Sequence, residues 1–310
     1  MKVSIIGSGK VGIATALYLI EKKVADVILI DVIKNWAEGI AMDIVQASPI
    51  RRYDVSICGY SEVSKIQDSD VVVVTAGKPR LPGMSREDLL RDNIKIMKQV
   101  AKDVAKYAPN TILITVSNPL DILAYVALKV TGFALKKVIG MAGILDSSRF
   151  RYFIASELGV SPKNVTALVL GGHGDLMVPL PRYSTVHGIP ITELLPKSTI
   201  DRLVERTRKA GGEIVSYLKT GSAYWSPGSS VAEMVECIVR DRRRIVPCSA
   251  YLRGEYGVEG LFAGVPIKIG RNGVEEIIEL TLTTEEKQAL HLSAGKVKDV
   301  IEQLETENLI

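Results

Sequence analysis

The first 31 residues place a glycine-rich turn between two short apolar segments and end on an acid. Residues 3–6 are apolar, residues 7–12 have the sequence GSGKVG, residues 27–30 are again apolar, and Asp31 follows. This order predicts a β-strand, a tight turn, a helix and a second strand parallel to the first. It constrains the fold strongly, because parallel strands joined by a helix belong to a sheet that is covered on both faces.

Three glycines and one acid in this segment have the spacing of a dinucleotide-binding site. Gly7 permits the tight turn, Gly9 lets the backbone approach a pyrophosphate, and Gly12 lets the helix pack against the strand. The pyrophosphate is expected at the helix N-terminus, where unpaired N–H groups and the helix dipole favour anions. Asp31 is placed to accept hydrogen bonds from an adenosine ribose and to repel a 2′-phosphate, so NAD is expected in preference to NADP. A purely structural turn would explain the glycines but not Asp31.

The composition of the chain excludes several classes of protein. Its 310 residues, 47% of them hydrophobic and 24% charged, are typical of a globular protein large enough for two domains. A formal net charge of +4 suits a small anionic substrate but is too low for a nucleic-acid-binding protein unless it is concentrated on one face. The three cysteines are unclustered, so they predict neither disulfides nor a metal site and favour a reducing compartment such as the cytoplasm. No apolar segment approaches the roughly 20 residues that a membrane span needs.

Strands alternate with helices through the first 144 residues. Six strands are predicted, at residues 3–6, 27–30, 55–58, 71–74, 111–115 and 137–140. Right-handed crossovers between such strands produce a doubly wound parallel Rossmann sheet, so the predicted fold class is α/β. Ligands bind such sheets at the carboxyl ends of the strands, which is where Gly7, Asp31, Thr75 and Asn118 fall.

The pattern changes near residue 145. Helices are predicted at residues 145–158, 200–218 and 229–240, and a last helix is predicted to begin at Thr284 as its N-cap. Strands are predicted at residues 165–170, 245–252 and 261–269, the last two pairing antiparallel. We therefore expect an NAD-binding domain at residues 1–144 and an α+β substrate domain at residues 145–310, with one cleft shared between them.

Hydride transfer to a dinucleotide requires a proton carrier, and histidine titrates in the right range. His173 follows an apolar strand and lies between two glycines that let a ligand approach closely. Asp146 and Asp175 are the candidate acids that could orient it, although Asp175 is better explained as a turn residue. His187 and His291 lie in a loop and in a charged helix, which indicates surface or structural roles.

Five segments in the same order resemble the lactate/malate dehydrogenase family, and the resemblance covers nearly the whole chain. They are the glycine motif, MSR at residues 84–86, VSNP at residues 116–119, LDSSRF at residues 145–150 and GGHGD at residues 171–175. The resemblance implies that His173 is the catalytic acid and base, that Asp146 orients it and that Arg149 binds the C1 carboxylate of the substrate. It also implies that Arg86 polarises the substrate carbonyl after a loop closes, and that Asn118 contacts the substrate and the nicotinamide ribose.

The resemblance also extends the NAD site and implies no metal ion. The further cofactor-binding residues are Thr75, Ala76, Gly77, Asn93, Val116 and Asn118. The Asn118–Pro119 peptide bond is predicted to be cis, because an X–Pro bond adopts this form at a cost of only about 0.5–1 kcal/mol. A sharp turn at this point would direct Asn118 into the cleft.

Arg80 is the residue on which the choice of substrate depends. In the family the corresponding position typically holds Gln in lactate dehydrogenases and Arg in malate dehydrogenases. Arg80 adds a positive charge to the closed pocket that the second carboxylate of malate or oxaloacetate would neutralise, whereas pyruvate would leave it buried and unpaired. Ala223, where lactate dehydrogenases usually carry Thr, leaves room for the larger substrate. Residues 172–184 also resemble the lactate-dehydrogenase-like branch of the malate dehydrogenases.

We therefore expect an NAD-dependent oxidoreductase that acts on malate and oxaloacetate, with lactate or another 2-hydroxyacid as the alternative. A non-catalytic dinucleotide-binding sensor is the alternative from a different class, but it would not need His173, Asp146, Arg149 and Arg86 together. The resemblance implies a homodimer or homotetramer without nucleic-acid or membrane partners. The basic segment Arg242–Arg244 is expected to be a solvated or interface cluster.

Overall fold

The structure is a computed structural model that describes residues 1–78 and 86–310, with the backbone alone described at Arg86. The predicted substrate-binding residue Arg80 and the side chain of Arg86 therefore lie outside the described residues. No helix in the described ranges is long and apolar enough to cross a membrane.

The first half of the chain alternates strands and helices as predicted. Its elements are β1 (Lys2–Ile6), α1 (Lys10–Glu21), β2 (Asp26–Ile30), α2 (Trp36–Arg51), β3 (Ile57–Tyr60), β4 (Val71–Val74), α3 (Arg86–Tyr107), β5 (Ile112–Thr115), α4 (Leu120–Thr131) and β6 (Val138–Gly140). These six strands are all parallel, in the order β3-β2-β1-β4-β5-β6, which confirms the Rossmann sheet. The winding reverses between β1 and β4, so a crevice opens at their carboxyl ends.

The second half combines long helices with short and antiparallel strands. Its elements are α5 (Gly143–Leu158), β7 (Val165–Thr166), β8 (Val169–Leu170), β9 (Val178–Pro179), β10 (Thr185–Val186), β11 (Ile189–Pro190), α6 (Ile191–Leu194), α7 (Lys197–Leu218), α8 (Trp225–Val239), β12 (Arg244–Arg253), β13 (Glu259–Gly270), β14 (Gly273–Ile277) and α9 (Thr284–Thr306). The predicted antiparallel pairing is confirmed for β12 and β13, and β14 pairs antiparallel with β13.

The antiparallel strands do not form a separate sheet. Ser249 of β12 pairs antiparallel with Gly140 of β6, so β12, β13 and β14 extend the Rossmann sheet to nine strands. Gly140 permits this junction, because a Cβ atom there would lie 2.8 Å from the Cβ atom of Ser249. The two halves of the chain consequently share a continuous sheet.

Several predicted boundaries differ from the structure; the helix predicted at residues 229–240, for example, begins at Trp225. Three of the differences have an evident cause. The strand predicted at residues 165–170 is divided, because β7 pairs with β10 whereas β8 pairs with β9 in another sheet. The third strand begins at Ile57 rather than at residue 55, and the Asp26 side chain accepts the Ser56 N–H at 2.8 Å. The N-cap of α9 is Thr283 rather than Thr284, and the side chains of Thr283 and Glu286 each accept the other's backbone N–H.

The core lies on both faces of the sheet. All four valines of β4 are fully buried, as predicted for a strand in the middle of a parallel sheet. Helix α8 of the second half packs against α1, and Gly228 permits this close approach because a Cβ atom there would lie 2.6 Å from the Cβ atom of Ala14. The cofactor half and the other half are therefore packed together behind the glycine turn.

The geometry at the glycine turn gives a stability prediction. A Cβ atom on Gly12 would overlap the carbonyl oxygen of Gly7, whereas a Cβ atom on Gly9 would meet nothing within 4 Å. Gly12→Ala should therefore lower the free energy of unfolding by about 1–3 kcal/mol, as overpacking typically does. Gly9→Ala is the matched control and should leave thermal unfolding unchanged. Equal melting temperatures for the two variants would show that α1 can move away from the turn at no cost.

Candidate active site

The glycine turn, the acid and the end of β4 meet at the carboxyl edge of the sheet. Gly7 has a positive φ of +104°, and its N–H donates to Ile30 O at 2.8 Å. The Thr75 hydroxyl donates to Gly7 O at 2.6 Å. Asp31 receives the Ser8 N–H at 2.8 Å, so its carboxylate lies beside the turn as predicted.

The space around this turn fits the pyrophosphate and ribose of a dinucleotide. Gly9 is exposed and precedes α1 directly, and a Cβ atom built on it would point into open space. The first turn of α1 contains no acid, so its unpaired N–H groups and dipole are available to an anion. Asp31 also accepts the Ile33 N–H at 3.1 Å, which fixes its carboxylate at the entrance of the crevice.

Asn93 joins the segment after β4 to the segment after β5. It is 3% exposed, its amide donates to Asn118 O at 2.9 Å, and its side-chain oxygen accepts the Lys78 N–H at 2.8 Å. The Ser117 hydroxyl donates to Ala76 O at 2.6 Å and joins the same two segments. Asn93 therefore orients the backbone that was predicted to contact the cofactor, and its own contact with NAD stays a prediction.

Asn118 follows β5 at the edge of this crevice. The Asn118–Pro119 bond is cis, which confirms the prediction. The Asn118 side chain is exposed and makes no hydrogen bond to another described residue, so its amide is available to a ligand.

His173 and Asp146 form a hydrogen-bonded dyad. The Nδ1 atom of His173 lies 2.8 Å from Oδ2 of Asp146, which is buried in the first turn of α5. Asp175, the other candidate acid, is exposed. A hydrogen bond at Nδ1 leaves Nε2 as the atom that can exchange a proton with a ligand.

The surroundings of His173 favour its protonated form. Burial by itself lowers the pKa of this histidine, but the charge and hydrogen bond of Asp146 outweigh burial and raise the pKa above its ordinary value. Arg149 opposes this increase and Asp121 adds to it. The raised pKa favours the imidazolium, which can donate a proton to a ligand, and the neutral imidazole that remains can accept one.

Arg149 is placed to bind an anion beside the dyad. Its Nη1 atom lies 3.2 Å from Asp146 Oδ1, its side chain is only 12% exposed, and burial lowers its pKa. Its buried Nε atom has no hydrogen-bond partner among the described residues. A buried guanidinium with free donors fits a carboxylate, which accepts two parallel N–H···O bonds from it.

Sequence reasoning did not identify Asp121 or Ser293 as parts of this site. The Asp121 carboxylate accepts the His173 N–H at 3.1 Å, and the Ser293 hydroxyl accepts the Gly172 N–H at 2.8 Å. Asp121 follows Asn118–Pro119 by two residues, which could have drawn attention to it. Ser293 lies far along the chain in α9 and gives no comparable signal.

The other two histidines and the basic segment Arg242–Arg244 have surface or structural surroundings. His187 is exposed, and His291 Nε2 donates to Tyr256 O at 2.8 Å. Arg242 pairs with Glu236 at 2.7 Å, and its two neighbours Arg243 and Arg244 also form ion pairs with acids. Each arginine of the segment Arg242–Arg244 is therefore paired with an acid of the same chain.

Comparisons with known proteins agree with this geometry. The model of the "lactate/malate dehydrogenase, NAD binding domain" family matches residues 1–140, and that of the "alpha/beta C-terminal domain" of the same enzymes matches residues 144–308. The chain belongs to the lactate/malate dehydrogenase family. It is an oxidoreductase whose cofactor is NAD.

Individual relatives resemble the chain over almost its full length. A malate dehydrogenase from Geobacillus sp. (strain WCH70) is 52% identical over 98% of each chain. The apo structure of malate dehydrogenase from Picrophilus torridus is 47% identical, with a TM-score of 0.95 and 99% of each chain covered. The Cryptosporidium parvum lactate dehydrogenase, solved with lactic acid and nicotinamide adenine dinucleotide, is 40% identical with a TM-score of 0.94 and 98% of each chain covered.

Asp31 gives a prediction about cofactor preference. Asp31→Ser should weaken the use of NAD and improve that of NADP, because the variant loses an acceptor for the ribose and no longer repels a 2′-phosphate. Asp54→Ser is the matched control, since Asp54 is an exposed acid that precedes β3 at the opposite edge of the sheet. The measurement is kcat/KM for both cofactors. An unmodified enzyme that uses NADP as well as NAD would contradict the role of Asp31.

Proposed function

We propose that this chain is an NAD-dependent malate dehydrogenase that interconverts (S)-malate and oxaloacetate. The observation that carries the proposal is the His173–Asp146 dyad beside Arg149, a buried guanidinium whose Nε has no partner among the described residues. A proton carrier next to a carboxylate-binding group is what oxidation of a 2-hydroxyacid requires. The malate dehydrogenases among its relatives support the choice of substrate.

The residues divide the chemistry between them. When NAD is bound, its nicotinamide supplies the hydride acceptor, and the crevice beside Gly7 and Asp31 holds the cofactor. During malate oxidation His173 Nε2 removes the hydroxyl proton, and Asp146 stabilises the imidazolium that forms. Arg149 binds the C1 carboxylate, and Asn118 contacts the substrate and the nicotinamide ribose.

Arg80 and Arg86 complete the proposal from the sequence. Arg86 polarises the substrate carbonyl, and Arg80 pairs with the second carboxylate of malate or oxaloacetate.

Lactate dehydrogenase activity is the alternative function. The chain also resembles a lactate dehydrogenase in structure, and the fold alone does not distinguish the two substrates. Initial rates of NADH and NADPH oxidation with oxaloacetate and with pyruvate test the proposal directly. Faster turnover of pyruvate would replace it with the alternative.

The domain division and the assembly are also proposals. We assign residues 1–144 to cofactor binding and residues 145–310 to substrate binding and catalysis. We further propose a cytoplasmic homodimer or homotetramer that serves the tricarboxylic acid cycle. Exposed apolar side chains on α2, among them Met42 and Ile50, support self-association. Sedimentation of the purified protein tests the assembly.

The dyad gives a prediction about pH. Because the pKa of His173 is raised, oxaloacetate reduction should be fast below that pKa and should fade as the pH rises through it, since reduction consumes the proton. Malate oxidation needs neutral His173, so its rate should fade as the pH falls through the same pKa. Asp146→Asn should move both midpoints to lower pH.

His173→Ala should lower kcat by about 10²–10⁴ while NADH binding, followed by fluorescence, is retained.

His187→Ala is the matched control for the histidine, because His187 is exposed and outside the dyad. It should leave the kcat and both pH midpoints unchanged. Near-normal turnover by His173→Ala would show that another group carries the proton.

Arg80 gives a prediction about substrate choice. Arg80→Gln should remove both the attraction for oxaloacetate and the penalty of burying an unpaired guanidinium against pyruvate. A pair worth several kcal/mol corresponds to a change of about two decades or more in the ratio of the two kcat/KM values, at about 1.4 kcal/mol per decade. Arg52→Gln, which alters an exposed arginine after α2, is the control. An unchanged ratio would mean that Arg80 does not contact the substrate.

A further inference from the structure

We propose that Asp121 is a positioning residue for His173, holding the main chain of the histidine so that its imidazole stays aligned between Asp146 and the substrate. This inference rests on the proposed function, since it concerns the proton carrier of that reaction. Asp121 belongs to α4 in the cofactor half, whereas His173 and Asp146 belong to the other half.

Three consecutive N–H groups of the His173 loop have fixed acceptors. Gly171 N–H donates to Gly264 O at 2.8 Å, Gly172 N–H to the Ser293 hydroxyl at 2.8 Å, and His173 N–H to Asp121 Oδ2 at 3.1 Å. The acceptors come from β13, α9 and α4, so the loop is held from three directions. Of the three contacts, the one to Asp121 acts on the histidine itself.

The Asp121 side chain is built into the protein for this contact. It is 5% exposed, and its other oxygen, Oδ1, accepts the Ser249 hydroxyl at 2.6 Å. Ser249 lies in β12 where the two halves of the sheet join, so Asp121 links α4, that junction and the His173 loop. Burial raises the pKa of Asp121, and the hydrogen bonds from the Ser249 hydroxyl and the His173 N–H oppose this increase, as does its place in the first turn of α4.

The space beside Asp121 explains a glycine of the GGHGD segment. A Cβ atom on Gly172 would lie 3.2 Å from Asp121 Oδ2 and 3.4 Å from the Ser293 hydroxyl oxygen. The absence of a side chain at Gly172 therefore lets the loop come close enough to use both acceptors.

Three charged groups surround the imidazole and determine its response to pH. Asp146 and Arg149 approach it from α5, and Asp121 approaches from α4. The two carboxylates raise the pKa of His173, whereas the guanidinium lowers it. Loss of Asp121 should therefore lower this pKa through the lost charge and through poorer alignment with Asp146.

Two substitutions separate the hydrogen bonds from the charge. In Asp121→Asn the amide oxygen can still accept the His173 N–H, and the NH₂ group can donate to the Ser249 hydroxyl, so kcat should stay close to that of the unmodified enzyme. Asp121→Ala removes both contacts, and kcat should fall by about one to two decades, as expected when a reacting group is misplaced by about an ångström. The KM for NADH should change little in either variant.

The pH dependence of oxaloacetate reduction is the second measurement. In Asp121→Ala the midpoint at which activity fades should move to lower pH, because reduction requires protonated His173 and its pKa is lowered. Tyr125→Phe is the matched control, since Tyr125 is a buried residue of the same helix. Its hydroxyl donates to Glu305 at 2.8 Å and makes no contact with the His173 loop among the hydrogen bonds of the described residues. The variant should lose stability without a change in kcat or in the midpoint.

Two outcomes would overturn the inference. They are an unchanged kcat and midpoint in Asp121→Ala, and a loss in Asp121→Asn as large as that in Asp121→Ala. If Asp121→Ala does not fold, Asp121→Ser takes its place, because a hydroxyl stays polar but is too short to reach both donors. Failure of the proposed function itself would appear separately, as an unmodified enzyme that does not reduce oxaloacetate.

Discussion

The burial of Asp146 is the constraint on which the rest of the site depends. A carboxylate that is 1% exposed must be compensated, because transferring an unpaired charge out of water costs several kcal/mol. Asp146 obtains this compensation from His173 on one oxygen and from Arg149 on the other. One buried charge therefore fixes the tautomer of His173 and the position of the Arg149 guanidinium together, the two groups that we propose act on the substrate.

The continuous sheet makes that arrangement possible across two halves of the chain. If β12–β14 formed an independent layer, the His173 loop could shift relative to the crevice in which we propose that NAD binds. The antiparallel pairing of Ser249 with Gly140 prevents this, and the same serine holds Asp121. Hydride transfer requires the two reacting carbons to be close and aligned, so a junction that joins the two halves of the chain in one sheet supports the proposed division of cofactor binding and catalysis between them.

The sequence predicts most of the fold and the chemical groups of the site, but not the contacts that hold them. The GSGKVG turn, the buried valines of β4 and the resemblance through residues 145–150 are local patterns, and their structures agree with the expectations. The junction of β6 with β12 depends on pairing between residues 140 and 249, and no local pattern predicts such a contact. Asn93 was predicted only as a cofactor-binding residue, and Asp121 was not predicted at all, for the same reason: each residue acts through a backbone group distant in sequence.

The charges of the described residues bear on the proposed role of Arg80 in binding a dicarboxylate substrate. Asp146 and Asp121 bring two carboxyl groups to the dyad, although burial raises the pKa of Asp121. Arg149 and His173 both pair with Asp146, so neither cation is free of a partner when a substrate with two carboxylates enters. Lys78 already pairs with Asp92 at 2.9 Å. A dianionic substrate thus requires cations beyond those described around the dyad, and in the sequence Arg80 and Arg86 follow Lys78 within eight residues. In the proposed function Arg149 binds the first carboxylate and Arg80 the second, so lactate, which has no second carboxylate, would leave the Arg80 charge without a partner.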